Sequence, residues 1–318
     1  MPFPPHAPSY VPKHDFIDYL DNYVAHFNVG PLYHRMVESA TFDQRDEKWV
    51  VVVENSVLGR VEKYVAQFLV VATGENSEGY IPQIPGLDTF NGELMHSSCY
   101  ENGKKFDKKD VLVVGSGNSG MEIAYDLSNW GAKTCIVVRS PVHFLTEGMV
   151  KLGMVLLKYL SLDVVDNIVL MLSKLEYGNL SDYGIQRPNK GPFYLKRATG
   201  RSPVIDVGTI NKIQAQQIKV LPSVKRVNGE DVYFANGDKK RYNAIVFATG
   251  YKSTVRRWLK DDGGLFNEDG MPKKSNPDHW KGENGLYCAG FARAGLFGIS
   301  NDAKAISRDI SATLGHRN

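Results

Sequence analysis

The stretch Val113-Val114-Gly115-Ser116-Gly117-Asn118-Ser119-Gly120 joins a short apolar segment to a run of residues with helical spacing. The apolar residues 110–114 predict a buried strand, and residues 118–130 predict a helix that Gly131 ends. A second apolar segment, 134–139, completes a compact strand–helix–strand unit. This order of elements predicts an α/β fold built on a doubly wound, mostly parallel sheet.

The glycines between the first strand and the helix have the spacing GxGxxG. This spacing alone matches many irrelevant loops, but a strand directly before it and a helix directly after it are typical of dinucleotide binding. Gly115 then permits a tight turn, Gly117 lets the backbone approach a pyrophosphate, and Gly120 lets the helix pack closely on the strand. The phosphates would lie at the helix N-terminus, where free N–H groups favour anions. We therefore predict cofactor contacts along this turn, at Gly115, Ser116, Gly117, Asn118, Ser119 and Gly120. The alternative is a tight turn without a ligand.

The residue at the end of the second predicted strand indicates which dinucleotide binds. An acidic side chain there hydrogen-bonds the ribose 2′-hydroxyl of NAD or FAD. This sequence has Arg139 followed by Ser140, and a guanidinium pairs with a 2′-phosphate through charge-assisted hydrogen bonds. The turn is therefore predicted to bind NADPH through these two residues, unless Arg139 is only a solvated residue at a strand end.

Composition and charge exclude several classes of protein. The 318 residues can form two domains, and 38 Lys plus Arg against 35 Asp plus Glu leave a charge of +3, too small to indicate nucleic-acid binding. Cys99, Cys135 and Cys288 lie far apart, which argues against a disulfide framework or a zinc motif and fits a reducing compartment. No metal-ligand cluster is visible. The N-terminus has no secretory pattern, so we expect a cytosolic protein.

Other segments give coarser predictions. Residues 149–175 are apolar but carry several charges, which favours amphipathic helices over a membrane span. A helix on the surface of a membrane, such as the endoplasmic reticulum, is the alternative. Further predicted elements are a helix over 16–27, a β-meander over 49–54 and 63–72, strands over 225–227, 231–234 and 244–248, and a final helix over 302–314.

A longer motif lies upstream of the glycine turn. The segment from Phe90 to Tyr100 matches F-x-G-x-x-x-H-x-x-x-Y, with His96 at its centre. It resembles the identifying motif of the flavin-containing monooxygenases and the related Baeyer–Villiger enzymes. The resemblance narrows to the plant YUCCA family of indole-3-pyruvate monooxygenases in auxin biosynthesis. The stretches that carry it are Ala72-Thr73-Gly74-Glu75-Asn76, Gly117-Asn118-Ser119-Gly120-Met121-Glu122, Val138-Arg139-Ser140 with His143, Ala248-Thr249-Gly250-Tyr251, and Gly285-Leu286-Tyr287 with Gly290-Phe291.

The resemblance implies two Rossmann-like domains. Residues 105–220 would form an NADPH-binding domain inserted into an FAD-binding domain made of 1–104 and 221–318. Residues expected beside FAD and the crevice between the domains are Thr73, Gly74, Thr249, Gly250 and Asp302. Asp302 could alternatively be a plain N-cap of the last helix. His96 and Asn76 are the candidates near the reaction centre.

Relatives of this family begin with a first GxGxxG unit that holds FAD, and the resemblance of this chain begins after that unit. We therefore expect the FAD-binding domain to lack its N-terminal βαβ unit. The activity implied is an NADPH- and FAD-dependent monooxygenase that uses O2 to convert indole-3-pyruvate to indole-3-acetate. The alternative is an inactive NADP(H)-binding relative that associates with full-length members. A pyridine nucleotide-disulfide reductase would need paired cysteines, and the cysteine spacing argues against it.

Overall fold

The computed structural model describes residues 1–8 and 11–315, in which strands and helices alternate along the chain. The strands are β1 (Arg35–Asp43), β2 (Lys48–Asn55), β3 (Arg60–Ala66), β4 (Leu69–Val71), β5 (Glu78–Gly79), β6 (Glu93–His96), β7 (Asp110–Val114), β8 (Lys133–Val137), β9 (Phe144–Leu145), β10 (Val204–Ile205), β11 (Ile218–Leu221), β12 (Val224–Asn228), β13 (Asp231–Phe234), β14 (Lys239–Arg241), β15 (Ala244–Phe247), β16 (Tyr251–Lys252) and β17 (Leu286–Cys288). The helices are α1 (Lys13–His26), α2 (Asn118–Asn129), α3 (Glu147–Leu156), α4 (Leu162–Tyr177), α5 (Pro192–Thr199), α6 (Thr209–Gln214), α7 (Val255–Trp258) and α8 (Gly295–Gly315).

The apolar segment before the glycine turn is β7, the central strand of a five-stranded parallel sheet with the order β11-β8-β7-β15-β6. Val111 and Val113 pack in the core on the α2 side of the sheet, whereas Leu112 and Val114 pack in the core on the opposite side. A strand covered on both faces has no polar alternation, which is why β7 reads as a continuous apolar run. The predicted α/β fold with a parallel sheet is confirmed.

The strand–helix–strand unit has slightly different ends from those predicted. α2 ends at Asn129, and Gly131 adopts a φ of +82°, as expected for a residue that stops a helix. The second strand ends at Val137 rather than at residue 139. The Val138 N–H instead donates to the Leu221 carbonyl oxygen at 3.0 Å, so the chain leaves the β7 register before Arg139.

The predicted β-meander is a three-stranded antiparallel sheet, β1-β2-β3, whose first strand the sequence did not predict. A register shift between Val37 and Ser39 breaks the period-2 pattern that would have identified β1. The predicted strand over 63–72 is wrong, because the chain divides it into β3 and β4. β3 pairs with β2, whereas β4 pairs in parallel with β17 in a separate two-stranded sheet.

The C-terminal strands agree with prediction, but the last helix does not. β12, β13 and β15 cover the predicted segments, and β14 completes an antiparallel sheet with β12 and β13. The final helix begins at Gly295, seven residues before the predicted start at Asp302. Gly295 and Gly298 lie in its first turns, and glycine disfavours helix, which hid this part of the helix in the sequence.

The N-terminal helix and the pair α3 and α4 match the predicted helical segments. None of the helices in the described part of the chain is long and apolar enough to cross a bilayer. The parallel sheet also includes β6 and β15, which come from the segments 1–104 and 221–318. The boundaries predicted for the two domains stay a prediction, but their segments share one sheet.

Candidate functional site

The glycine turn has the geometry that each of its glycines is predicted to need. Gly115 has a φ of +117°, and a Cβ there would overlap the carbonyl oxygen of Ala248. A Cβ on Gly120 would overlap the carbonyl oxygen of Gly115, so α2 lies closer to the sheet than any side chain would allow. A Cβ on Gly117 would meet nothing within 4 Å. Two glycines thus serve packing, and the third leaves its backbone open to a ligand.

A cavity of about 470 Å³ lies at the carboxyl ends of the parallel strands, beside this turn. Its size falls within the range of small-molecule sites, and this edge of a doubly wound sheet is where such folds bind nucleotides. The predicted residues that line it are Gly115, Ser116, Gly117, Arg139, Ser140 and Thr249. Arg139 is exposed, and in the described part of the chain its guanidinium has no carboxylate partner. The cavity therefore presents an unpaired cation beside an open backbone turn.

The first turn of α2 faces the same end of the sheet. Its N-cap is Gly117, and no side chain caps the free N–H groups of the helix. Uncapped N–H groups and the helix dipole favour an anion at this position. The Asn118 side chain does not line the cavity, because its Oδ1 accepts a hydrogen bond of 2.9 Å from the N–H of Ile205. Ser119 and Gly120 also lie outside the cavity lining.

His96 connects the long sequence motif to the Ala-Thr-Gly segment at 248–250. Its Nε2 donates to the Gly250 carbonyl oxygen at 2.9 Å, and its Nδ1 accepts from the N–H of Ser98 at 3.1 Å. These partners require the neutral tautomer with the proton on Nε2. The ring is buried, so in this structure His96 positions Gly250 and does not present a free nitrogen to the cavity.

Tyr100, the last residue of the motif, fixes the other end of this segment. Its hydroxyl donates to the Asp126 carboxylate at 2.6 Å, and the same carboxylate accepts from the N–H of Gly103 at 2.7 Å. Burial and the Asp126 carboxylate raise the pKa of Tyr100 far above its usual range. The motif therefore ties β6 to α2 and fixes the position of these two elements relative to each other.

Thr249 and Gly250 are held in place by the segment that follows β5. The Thr249 hydroxyl donates to the carbonyl oxygen of Tyr80, and the N–H of Tyr80 donates to the Gly250 carbonyl oxygen at 2.9 Å. Tyr80 itself lines the cavity beside the glycine turn. Sequence reasoning missed Tyr80, since nothing in its local pattern separates it from a core tyrosine.

Thr73, Gly74 and Asn76 line a second, smaller cavity of about 230 Å³. Gly74 has a φ of +70°, and its backbone approaches Gly290, whose φ is +87°. The Ala-Thr-Gly segment at 72–74 therefore opens onto a different cavity from the segment at 248–250. Asn76 lines both this cavity and a larger neighbour of about 560 Å³.

Asp302 lies behind the smaller cavity and is buried. Its Oδ2 accepts from the N–H of Gly290 at 3.0 Å, and its Oδ1 lies 3.1 Å from the Nε2 of buried His279. The N-cap alternative for Asp302 is wrong, because α8 begins at Gly295 and Asp302 lies inside the helix. Its carboxylate does not line the smaller cavity but holds the backbone of Gly290, which does.

The two predicted cofactors fit the described residues unequally. The glycine turn, the uncapped helix and the unpaired Arg139 fit a dinucleotide with a 2′-phosphate. Among residues 1–8 and 11–315, no second strand–glycine turn–helix unit accompanies this one. What the described residues offer to an FAD is the open backbone at Gly74 and Gly290, without a second pyrophosphate turn.

Sequence reasoning also missed Arg201, which lines the cavity beside the glycine turn and the larger neighbouring cavity. A signal was present, because Lys196, Arg197 and Arg201 cluster just before β10. No local pattern indicates that this cluster folds back to the cavity beside the glycine turn. Only the tertiary structure shows that Arg201 lines this cavity.

Comparisons with known proteins agree with this geometry. Residues 1–260 match the family model described as flavin-binding monooxygenase-like. The chain is 51% identical over 318 residues to the probable indole-3-pyruvate monooxygenase YUCCA10 of Arabidopsis thaliana, covering 99% of this chain and 83% of that protein. It is 42% identical over 315 residues to the indole-3-pyruvate monooxygenase YUCCA1 of Oryza sativa subsp. japonica, covering 98% and 76%.

Solved structures with the same fold include a flavin-containing monooxygenase from Stenotrophomonas maltophilia. It has a TM-score of 0.69 at 19% identity, with 99% of this chain and 81% of that chain covered. A structure of OTEMO in complex with FAD and NADP has a TM-score of 0.72 at 16% identity, with 95% and 70% covered. At these identities the structures show a shared fold alone.

Proposed function

From the premise that the chain belongs to the flavin-binding monooxygenase-like family, we propose that it uses NADPH, FAD and O2 to convert indole-3-pyruvate to indole-3-acetate and CO2, with NADP+ and water as the other products. The chain is an oxidoreductase by family, and its relatives belong to auxin biosynthesis in plants. The identity of the substrate and of both cofactors is what we propose beyond this family assignment. The similarity to proteins named indole-3-pyruvate monooxygenase, over 98% or more of this chain, supports the substrate.

The structural observation that best supports the proposal is the position of Arg139 relative to the glycine turn. The unpaired Arg139 lies on the wall of the same cavity as Gly117, whose backbone is open to a ligand. Such a cavity suits a dinucleotide whose 2′-phosphate pairs with the guanidinium. FAD, when bound, supplies the activation of O2.

The chain's own residues then have distinct tasks. Gly117 and the N–H groups of α2 would bind the pyrophosphate of NADPH, and Arg139 with Ser140 would hold the 2′-phosphate. Thr249 and Gly250, fixed by Tyr80 and His96, would set the position of the nicotinamide end. Holding reactants in one geometry is itself a large part of catalysis.

The test uses purified protein supplemented with FAD, NADPH and indole-3-pyruvate. We expect consumption of NADPH and O2 that depends on the keto acid, with indole-3-acetate formed in equal amount. In the same assay the Arg139→Gln variant should lose turnover at limiting NADPH, because it lacks the guanidinium that pairs with the 2′-phosphate. Absence of bound flavin together with absence of keto-acid-dependent O2 consumption would overturn the proposed activity.

A second candidate is an NADP(H)-binding protein without oxygenase activity that associates with full-length relatives. The observation that favours it is the single strand–glycine turn–helix unit within the described ranges. NADPH binding without bound FAD, together with co-purification with a full-length relative, would support this candidate. For either function we propose the cytoplasm as the compartment, with the surface of the endoplasmic reticulum as the alternative.

A further inference from the structure

The larger cavity, of about 560 Å³, shares lining residues with each of the other two and carries more basic than acidic side chains. It shares Arg201 with the cavity beside the glycine turn, and it shares Glu75, Asn76 and Arg293 with the cavity beside Gly74. Basic side chains on its wall are Lys196, Arg201, Lys252 and Arg293, against the acidic Glu75 and Asp269. We call it the basic cleft. A cleft lined mainly by one sign of charge concentrates ligands of the opposite sign.

Most of this positive charge is not neutralised within the protein. Arg293 pairs with Glu75, with Nε and Oε2 3.5 Å apart. Lys196, Arg201 and Lys252 form no ion pair with a carboxylate anywhere in residues 1–8 and 11–315. Four basic side chains against two acidic ones leave the cleft a net charge of +2, which favours a bound anion.

The basic side chains are anchored but keep donors free. The Lys196 ammonium donates to the carbonyl oxygen of Arg293 at 3.3 Å, and Arg201 donates to the carbonyl oxygen of Pro141 at 2.7 Å. The Lys252 ammonium lies 4.1 Å from the ring centroid of Tyr80. An ammonium has three donors and a guanidinium five, so these contacts leave several for a ligand. Side chains anchored in this way lose little entropy on binding.

The cleft also has an aromatic and an apolar side chain in its lining. Tyr251 and Met271 line it, and the Tyr251 ring packs edge-on against the His96 ring with centroids 5.0 Å apart. A planar aromatic group can stack on a tyrosine and contact the methionine sulfur. The lining of the cleft thus combines unpaired basic side chains with an aromatic ring and a methionine.

We propose that the basic cleft binds the substrate as an aromatic α-keto acid, with the carboxylate held by Lys196, Arg201 and Lys252 and the aromatic ring against Tyr251. This inference rests on the proposed function for the identity of the substrate, and it assigns the residues that select it. Asn76 lines both the basic cleft and the cavity beside Gly74, so the two cavities share this residue as a common wall.

The test compares phenylpyruvate with phenylacetone, which has the same aromatic ketone but no carboxylate, by isothermal titration calorimetry of the full chain. In the double variant Lys196→Gln/Lys252→Gln we expect the affinity for phenylpyruvate to fall about tenfold or more, because charge-assisted hydrogen bonds are lost. Phenylacetone should bind the double variant and the wild type equally. The matched control is Lys219→Gln, an exposed lysine outside the cleft, which should bind both ligands as wild type does.

NADPH titrations distinguish the two sources of an anion at this cleft. The double variant should keep wild-type affinity for NADPH, and this also shows that it is folded. If it instead loses NADPH and keeps phenylpyruvate, the cleft binds a cofactor phosphate and the proposal is overturned. If it loses both ligands, the charge-conserving Lys196→Arg/Lys252→Arg variant must recover phenylpyruvate binding, and failure to recover it overturns the proposal.

The outcome is separable from that of the proposed function. Unchanged binding of phenylpyruvate in the double variant, or no binding to the wild type, sinks this inference whatever the turnover assay gives. Cleft-dependent binding without NADPH-dependent product formation would instead contradict the monooxygenase activity and leave the carboxylate site standing.

Discussion

Two copies of the tripeptide Ala-Thr-Gly directly follow an apolar strand, the first at 72–74 and the second at 248–250, whereas another occurrence, at 198–200, lies at the end of helix α5. The second copy follows β15, which pairs on both sides within the five-stranded sheet. Its threonine and glycine are fixed by hydrogen bonds to Tyr80 and His96. The first copy follows β4, which pairs only with β17, and its threonine is exposed.

The difference teaches that the same local sequence acquires its role from its tertiary partners. The glycine turn follows the central strand of a five-stranded sheet that is covered on both faces. The side that carries Gly74 presents one wall of a cavity and a sheet of two strands. We therefore expect the part of the molecule around the glycine turn to be rigid and the part around Gly74 to open more easily.

The largest expected effect contrasts two glycines. A Gly120→Ala change should lower the free energy of unfolding by about 3 kcal/mol, because the new Cβ overlaps the carbonyl oxygen of Gly115. Gly74→Ala should cost only about 1 kcal/mol, since its Cβ meets nothing closer than 3.7 Å and the strain comes from the φ of +70°. Urea unfolding measures both.

Gly117→Ala is the control for these two variants. Its Cβ meets nothing within 4 Å and its φ is −77°, so stability should stay within about 0.5 kcal/mol of wild type. Its affinity for NADPH should nevertheless fall. Equal destabilisation by Gly120→Ala and Gly74→Ala would show that the two sides are packed alike, contrary to this comparison.

A smaller effect separates the two threonines. Thr249→Val removes the hydroxyl that donates to the Tyr80 carbonyl oxygen, and we expect a loss of about 1 kcal/mol in the free energy of unfolding. Thr73→Val removes an exposed hydroxyl and should change stability by less than about 0.5 kcal/mol. Thermal unfolding of the two variants side by side checks this, and a reversed order would contradict it.

The smallest effect concerns two buried thiols, Cys135 in β8 and Cys288 in β17. Burial raises the pKa of Cys288 from its usual 9.0 to about 12, so at pH 8 it should react only when β17 opens. The unfolded state loses this proton at lower pH than the folded state, so stability should fall as the pH rises above about 9.

Alkylation followed by mass spectrometry measures the opening directly. Exposed Cys99 should react first, and Cys288 should react about threefold or more faster than Cys135, because a two-stranded sheet opens more readily than the central strands. If Cys135 is labelled faster than Cys288, the weaker packing lies in the five-stranded sheet and not in the two-stranded one.

How much the sequence could predict follows from how local each signal is. The β7–α2–β8 unit was predictable because the apolar run, the glycines and Gly131 all lie within it. β1 was not, because its bulge between Val37 and Ser39 disturbs the alternation. The start of α8 was hidden by glycines that disfavour helix.

The candidate site divides in the same way. The glycine turn and Arg139 belong to one continuous unit and could be placed from the sequence. The basic cleft could not, since Lys196 and Arg293 are separated by almost a third of the chain and meet only when α5 packs beside the loop before α8. The hydrogen bond from His96 to Gly250 could not be predicted either, because the two residues lie 154 positions apart in the sequence.

The central claim is that the glycine turn binds NADPH and that Arg139 selects its 2′-phosphate. The most direct measurement is the Kd for NADPH and for NADH, by fluorescence titration, in wild type, Arg139→Gln and the control Arg308→Gln. We predict that wild type and Arg308→Gln prefer NADPH by at least about tenfold and that Arg139→Gln loses this preference. Equal affinities of the wild type for the two nucleotides, or an unchanged preference in Arg139→Gln, would contradict the claim.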